Sequence, residues 1–288
     1  MDGGTLYFCF GYPKSGTTFL QRMLDMHPQV SCPAEQSFTT LARLVDNDSR
    51  VYNDTLKVID RRTGGQGAPL WSKHTSDYVF AAIVRALADD FARGRPIRGL
   101  NDNHVFQQPK YYDELLGHPR MIAIFRNPVD RALSSWRHNS RLAREEPKMA
   151  AVHLEVLANP ERTLEGFVLK CAAEFVGYVN RYLSYVGKRS NFLSVRYEDL
   201  VARKKSELRS IFDFLGADVS DGILDAIVEG SSKEKMASRS ARPEFFGLDR
   251  DRRNEVAVGR ETREKALAIA APALERLGYD VEALTKAA

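Results

Sequence analysis

Short apolar runs alternate along this chain with longer stretches in which apolar residues recur every three or four positions. The runs at 6–10, 97–100 and 121–125 predict buried strands, the second of them weakly. The longer stretches predict helices at 17–26, 79–93, 109–116, 128–144, 161–187, 203–215 and 260–277. Because strands that alternate with helices form a parallel sheet covered on both faces, the pattern predicts a three-layer α/β fold.

Turn-forming residues mark the breaks between these elements. Clusters at 46–49 (Asp-Asn-Asp-Ser) and 64–67 (Gly-Gly-Gln-Gly) predict loops, and the polar, basic stretch 231–254 predicts a mobile loop. No linker or repeat divides the 288 residues, so we expect residues 1–288 to form a single domain.

Composition narrows the class of protein. The net charge of +4 is modest and shows no clustered basic stripe, which argues against a nucleic-acid partner. No stretch has the apolar length of a membrane span, and a strand that begins at Leu6 leaves no room for a signal peptide. Three scattered cysteines (Cys9, Cys32, Cys171) lack metal-ligand spacing and predict a reduced, cytoplasmic chain.

The strongest chemical signal is the segment 11–18, Gly-Tyr-Pro-Lys-Ser-Gly-Thr-Thr, between the first strand and the first helix. A glycine-bearing turn that opens a helix points backbone N–H groups and the positive helix end at an anion. In nucleoside-triphosphate loops a lysine follows the second glycine, but Thr17 stands there and the lysine, Lys14, lies inside the loop. The sequence therefore predicts a site for a different phosphate ester.

Two further segments agree with this loop. Arg126 follows the buried strand 121–125, with Ser134 eight residues on, and the segment 191–200 carries Tyr197. Together with 212–216 (Phe-Asp-Phe-Leu-Gly), these motifs resemble the sulfotransferases that use 3′-phosphoadenosine 5′-phosphosulfate (PAPS), in a bacterial type similar to carbohydrate and cytosolic members. The resemblance implies a P-loop nucleotide-kinase-like fold, PAPS as donor, adenosine 3′,5′-bisphosphate (PAP) as product, and no metal.

The resemblance also implies roles for individual residues. Lys14 would stabilise the leaving oxygen, Ser15, Gly16, Thr17 and Thr18 would hold the 5′-phosphate, and Tyr197 would approach the adenine. Arg126 and Ser134 would bind the 3′-phosphate, for which the planar guanidinium is suited. Pairing of Arg126 with Asp130 is the structural alternative. The segment 252–260 departs from the family pattern, and Arg252 or Arg253 would reach the phosphate from a lid.

Three segments compete to supply the catalytic base. His104 matches the histidine of a family Lys-Thr-His element, although its neighbours here are Asp102 and Asn103. Glu35 resembles the base of heparan-type members, and Lys73 and His74 resemble a segment that lines the acceptor site. A histidine has a suitable pKa without tuning, whereas a glutamate needs burial to raise its pKa, so the sequence favours His104 first and Glu35 second. Capping or surface roles are the alternatives for all of them.

The acceptor would offer a hydroxyl or an amine and could be a carbohydrate, a glycolipid, a small alcohol or a phenol. Two other function classes stay open. A P-loop kinase-like phosphotransferase predicts binding of ATP with magnesium, and a non-catalytic nucleotide-binding protein predicts that loss of the Lys14 amine changes no activity.

Overall fold

The structure, a computed structural model, describes residues 4–145, 163–187, 189–238 and 257–286. Its five strands form one parallel sheet in the order β2-β3-β1-β4-β5. The strands are β1 (Leu6–Gly11), β2 (Val30–Ser31), β3 (Ile97–Asn101), β4 (Arg120–Phe125) and β5 (Phe192–Arg196). The three predicted strands are therefore confirmed, and the sheet is parallel as expected.

Helices connect and cover the strands. They are α1 (Thr17–Asp25), α2 (Phe38–Thr63), α3 (Lys73–Ala92), α4 (Pro109–Leu115), α5 (Pro128–Glu145), α6 (Leu164–Val186), α7 (Tyr197–Ala202), α8 (Lys204–Leu215), α9 (Asp221–Gly230), α10 (Lys233–Ser238), α11 (Arg260–Arg276) and α12 (Val281–Lys286). A 3₁₀ helix spans Asn103–Gln107. Residues 239–256 lie outside the described part of the chain and include Arg253, so the expected mobile loop is described only at 231–238, where α10 forms.

The alternation of side chains along the strands builds two separate cores. In β1, Phe8 and Phe10 point to one face of the sheet, where they pack with α3, α5, α6 and α11. Tyr7 and Cys9 point to the other face, which α1, α8 and α9 cover. Helices on both faces of the sheet confirm the predicted three-layer architecture.

The expectation of a loop at 46–49 is wrong, because α2 runs through this segment. The intrinsic helix preferences of Asp, Asn and Ser are only a few tenths of a kcal/mol worse than those of good helix formers, about 0.7 at most. Here Val45 and Ser49 are buried, and both amide atoms of Asn53 bind the backbone of Trp71. Packing therefore outweighs local preference. The second expected loop, 64–67, does follow the end of α2 at Gly64.

β1 lies in the middle of the sheet, with β2 and β3 on one side of it and β4 and β5 on the other. The direction in which strands are added therefore reverses at β1. Ligands of open parallel sheets bind in the crevice that this reversal creates at the carboxyl ends of the strands. Residues after β1, β3, β4 and β5 meet at this edge. Within the described residues no helix is long and apolar enough to span a membrane.

Candidate functional site

The β1–α1 loop forms a tight turn at the carboxyl edge of the sheet. The N–H of Ser15 donates to the carbonyl of Tyr12 at 3.0 Å, and the backbone then enters α1 at Gly16. Lys14 has φ of 72° and Gly16 has φ of 99°. A left-handed conformation at a residue other than glycine costs on the order of 1 kcal/mol, so strain is held at Lys14.

The two glycines of the loop are required by close neighbours. A Cβ atom at Gly11 would lie 2.6 Å from the carbonyl oxygen of Ile124 in β4. A Cβ atom at Gly16 would lie 2.3 Å from the ring of Tyr197, which opens α7. The β1–α1 loop therefore fits closely between β4 and α7. A side chain at Gly11 or Gly16 would push the loop away from these neighbours.

Several donors of this loop lack an acceptor within the described part of the chain. The Ser15 hydroxyl is buried and has no hydrogen-bond partner among the described residues. No side chain caps α1, whose first N–H groups are therefore open to an anion. Thr17 is buried and Thr18 exposed at the same helix end. The geometry fits a phosphate.

Arg126 follows β4 and lies beside the loop. Its Nη1 donates to the carbonyl oxygen of Lys14 at 3.3 Å, and its Cζ lies 4.5 Å from the centroid of the Tyr197 ring. Its Nε is buried without a hydrogen-bond partner in the described part of the chain. Asp130 pairs instead with Arg263 on α11, at 3.2 Å. The alternative pairing of Arg126 with Asp130 is therefore not formed.

Ser134 lies on α5, two turns beyond Pro128, and is half-buried. Asn127, which the sequence did not single out, holds the start of this helix. Its Oδ1 accepts from the N–H of Val129, and its own N–H donates to Glu198 Oε1 on α7, both at 2.9 Å. Asn127 thus connects the Arg126 segment to α7, a contact between residues too far apart in sequence for any local pattern to reveal.

Three more residues that sequence reasoning missed continue the site beyond Tyr197. Phe19 packs edge-on against the Tyr197 ring with 6.0 Å between centroids. Lys204 Nζ lies 5.6 Å from the Phe19 ring and donates to the carbonyl of Ser231 at 3.2 Å. If Tyr197 approaches an adenine, these residues border the same end of the crevice. The segment 191–200 indicated Tyr197 but none of these neighbours.

The Lys14 side chain is half-buried and carries the most informative titration in the site. Burial, and secondly the nearby guanidinium of Arg141, lower the pKa of Lys14 to about 8, while the Glu35 carboxylate opposes the shift. Lys14, Arg141 and Glu35 therefore lie within electrostatic range of one another, although they come from the loop, from α5 and from the segment before α2.

Glu35 and His104 are each held by a residue of the segment that follows β3. Asn103 Nδ2 donates to Glu35 Oε1 at 2.7 Å. His104 Nδ1 lies 3.1 Å from Oδ1 of the fully buried Asp102, and the side chain of His104 is 44% exposed. If Nδ1 carries the proton, it donates a hydrogen bond to Asp102. Nε2 is then the nitrogen that can take up a proton. The structure thus connects both candidate bases to the segment after β3, Glu35 through Asn103 and His104 through Asp102.

Lys73 and His74 lie at the start of α3. Lys73 Nζ pairs with Asp77 at 2.7 Å and with Asp46 at 3.8 Å, and it lies 5.9 Å from the Tyr111 ring. His74 is exposed. The described contacts of Lys73 join it to α2, α3 and α4 and not to the β1–α1 loop.

A buried arginine of α5, Arg131, packs against the β1–α1 loop. The Cζ of Arg131 lies 4.4 Å from the centroid of the Tyr12 ring, and Tyr12 stacks on Tyr178 of α6 with 4.6 Å between centroids. Burial raises the pKa of Tyr178 far above its usual range. This stack anchors the loop residue between Gly11 and Pro13. No local pattern in the sequence indicated this stack.

Comparisons with known proteins identify a matching family. The model of the sulfotransferase family matches residues 7–221. A curated relative, protein-tyrosine sulfotransferase 2 of Gallus gallus, is 25% identical over 229 residues, 76% of this chain and 53% of its own, so the match spans about half of that relative.

Two solved structures share the fold. Mouse sulfotransferase SULT7A1, complexed with PAP, has a TM-score of 0.59 and 18% identity, with coverage of 100% of this chain and 90% of its own. A sulfotransferase from Alicyclobacillus acidocaldarius has a TM-score of 0.53 and 19% identity, with coverage of 96% and 97%. At these identities the likeness concerns the fold.

Proposed function

Because the chain belongs to the sulfotransferase family, we propose that it transfers a sulfuryl group from PAPS to a hydroxyl or amine, releasing PAP. The observation that carries the proposal is the phosphate-binding geometry of the β1–α1 loop. There the buried Ser15 hydroxyl and the buried Arg126 Nε have no described hydrogen-bond partner, and both flank Lys14. The mouse structure of the same fold is a complex with PAP.

The residues present fit such a donor. Ser15, Gly16, Thr17 and Thr18 would hold the 5′-phosphate through hydroxyls and the open N–H groups of α1. When bound, the donor supplies the sulfuryl group and a bisphosphate leaving group.

The other end of the donor would lie beside β4 and α7. Arg126 and Ser134 would hold the 3′-phosphate, and Tyr197 would contact the adenine. Arg253, outside the described residues, would approach from a lid. Since Asp130 already pairs with Arg263, the buried Nε of Arg126, which has no described hydrogen-bond partner, would donate to this anion, while Nη1 donates to the carbonyl of Lys14.

The Lys14 amine would stabilise the negative charge that develops on the leaving oxygen. Positioning and electrostatics do most of the work in such in-line transfers. A half-buried ammonium acts more strongly there than one in water. We propose that Lys14 and Arg126 together offset the charge of the leaving group, so that the reaction needs no metal.

For the base we favour Glu35, because its carboxylate acts on Lys14 and is therefore close to the point of transfer. Asn103 holds it in place through one of its two oxygens, which leaves the other to accept the acceptor proton. His104, oriented by Asp102, is the second candidate. Lys73 and His74 would border the acceptor.

Acceptor class and location are also proposals. The curated relative's name specifies protein tyrosine as its acceptor. A phenol is therefore a reasonable first acceptor for this chain, beside carbohydrates, glycolipids and other small alcohols. A cytoplasmic location agrees with three buried, unbridged cysteines.

Calorimetric titration of PAP and, separately, of ATP with magnesium tests the proposal. We expect PAP to bind more tightly than ATP, and Arg126→Ala to weaken PAP binding roughly 10- to 100-fold, as for a lost charge-assisted hydrogen bond. Arg209→Ala is the matched control, since that arginine pairs with Asp221 on the surface. Tighter binding of ATP with magnesium would favour the kinase-like alternative.

A further inference from the structure

One face of α5 carries a series of polar side chains at helical spacing. Ser134 is followed by Arg137 and His138 after three and four positions, and by Arg141 after seven. Residues three, four and seven apart lie on the same side of a helix. The face that carries Ser134, at the proposed donor site, therefore continues as a cationic surface toward Arg141.

Arg141 is the best-defined cation of this surface. Its side chain is only 15% exposed, its Nε lies 3.6 Å from Glu145 Oε2, and its Nη2 lies 3.5 Å from His138 Nδ1. These neighbours on its own helix fix the guanidinium in place. It also lies close enough to Lys14 to lower the pKa of that amine. A fixed, largely buried guanidinium thus lies on the same face of α5 as Ser134, within electrostatic range of Lys14.

The donor's charges already have partners in the proposed function. The loop and Lys14 account for the 5′ end, and Arg126 with Ser134 accounts for the 3′-phosphate. A second cation on the sulfuryl oxygens would stabilise the bound donor at least as much as it stabilises the transition state. Such a contact does not accelerate the reaction. Arg141 is therefore better suited to a group that the acceptor brings.

Resting on the proposed sulfuryl transfer, we propose that Arg141 forms an anion-recognition subsite for the acceptor, which carries a carboxylate, sulfate or phosphate group near its reacting hydroxyl. The guanidinium would bind two oxygens of that group through its planar fork. It would also offset the repulsion between an anionic acceptor and Glu35. The same contact would hold the acceptor hydroxyl near Lys14.

The experiment compares two probes that differ only in charge, 4-hydroxyphenylacetate and 4-hydroxyphenylacetamide. Each is titrated into protein saturated with PAP, so that the donor site is filled and no turnover is needed. We expect the carboxylate to bind at least about tenfold more tightly than the amide, as for a charge-assisted hydrogen bond. Arg141→Gln should abolish this preference, and Arg141→Lys should restore part of it. Arg209→Gln, far along the chain on α8, should keep it.

The outcomes separate the two proposals. PAP binding that Arg141→Gln leaves within about threefold of wild type, with the preference lost, supports the subsite. Wild-type protein that binds both probes equally, or neither of them, overturns it while PAP binding still stands. A large loss of PAP affinity in Arg141→Gln would assign the arginine to the donor and also overturn the subsite. Failure of wild-type protein to bind PAP would instead refute the proposed function.

Discussion

PAP binding should draw a proton onto Lys14. The pKa of this amine is lowered to about 8 by burial and by Arg141, so a large share of the free protein carries a neutral Lys14 at mildly alkaline pH. A bound phosphate dianion favours the charged amine and raises its pKa again. The bound state therefore holds more protons than the free state, and PAP affinity must fall as the pH rises above about 8.

The size of the effect follows from the titration. If binding returns the Lys14 pKa to the range of an ordinary lysine, uptake is about 0.1 proton at pH 7, about half a proton at pH 8 and about 0.9 at pH 9. Above pH 8 the affinity should fall by up to about tenfold per pH unit. The phosphates of PAP, with a second pKa near 6, contribute little at pH 8.

Calorimetry in buffers of different ionisation enthalpy measures this uptake directly. Lys14→Gln should bind PAP more weakly and take up almost no proton at pH 8, because it keeps the side-chain length without the amine. Arg141→Gln should reduce the uptake, since removal of the neighbouring cation raises the pKa of Lys14 in the free protein. An uptake that is equal in wild type and Lys14→Gln would refute this account of the loop lysine.

Two substitutions test the loop and the base. Gly16→Ala should weaken PAP binding and lower the free energy of unfolding by about 1–3 kcal/mol, because the new Cβ meets an aromatic ring at 2.3 Å. Gly177→Ala, a helical control with nothing within 4 Å of its Cβ, should raise that free energy by up to about 1 kcal/mol; equal effects in chemical denaturation would contradict the clash. For the base, Glu35→Gln should lower kcat at least about 100-fold, whereas His104→Gln should have a smaller effect; the reverse order would identify His104 as the base.

Local signals explain why much of the fold and part of the site could be predicted from the sequence. The strand-turn-helix order around Lys14 and the buried strand before Arg126 are properties of a few adjacent residues. Strands at 6–10 and 121–125 are fully apolar because both faces of the sheet are covered. Such features need no knowledge of distant contacts.

The features that escaped prediction depend on distant parts of the chain. Gly16 fits only because the ring of Tyr197, far along the sequence, lies against it. The link from Asn127 to Glu198 and the stack of Arg131 on Tyr12 likewise join separate elements. At 46–49, turn-forming residues misled the prediction because the buried Val45 and Ser49 and the bonds of Asn53 to Trp71 outweighed their weak preference.

Three unfavourable features of the free protein lie together in the β1–α1 loop. Lys14 holds a left-handed backbone conformation, its amine is charged in a half-buried place beside the Arg141 guanidinium, and the buried Ser15 hydroxyl lacks a described partner. Each is unfavourable on its own, and an anion in the loop would improve the last two at once. A phosphate supplies the acceptor oxygens that Ser15 and the start of α1 lack, and its charge offsets that of Lys14. The strain at Lys14 is then what aims the backbone N–H groups of the loop at that anion. A loop that served only to connect β1 with α1 would have no reason to keep all three.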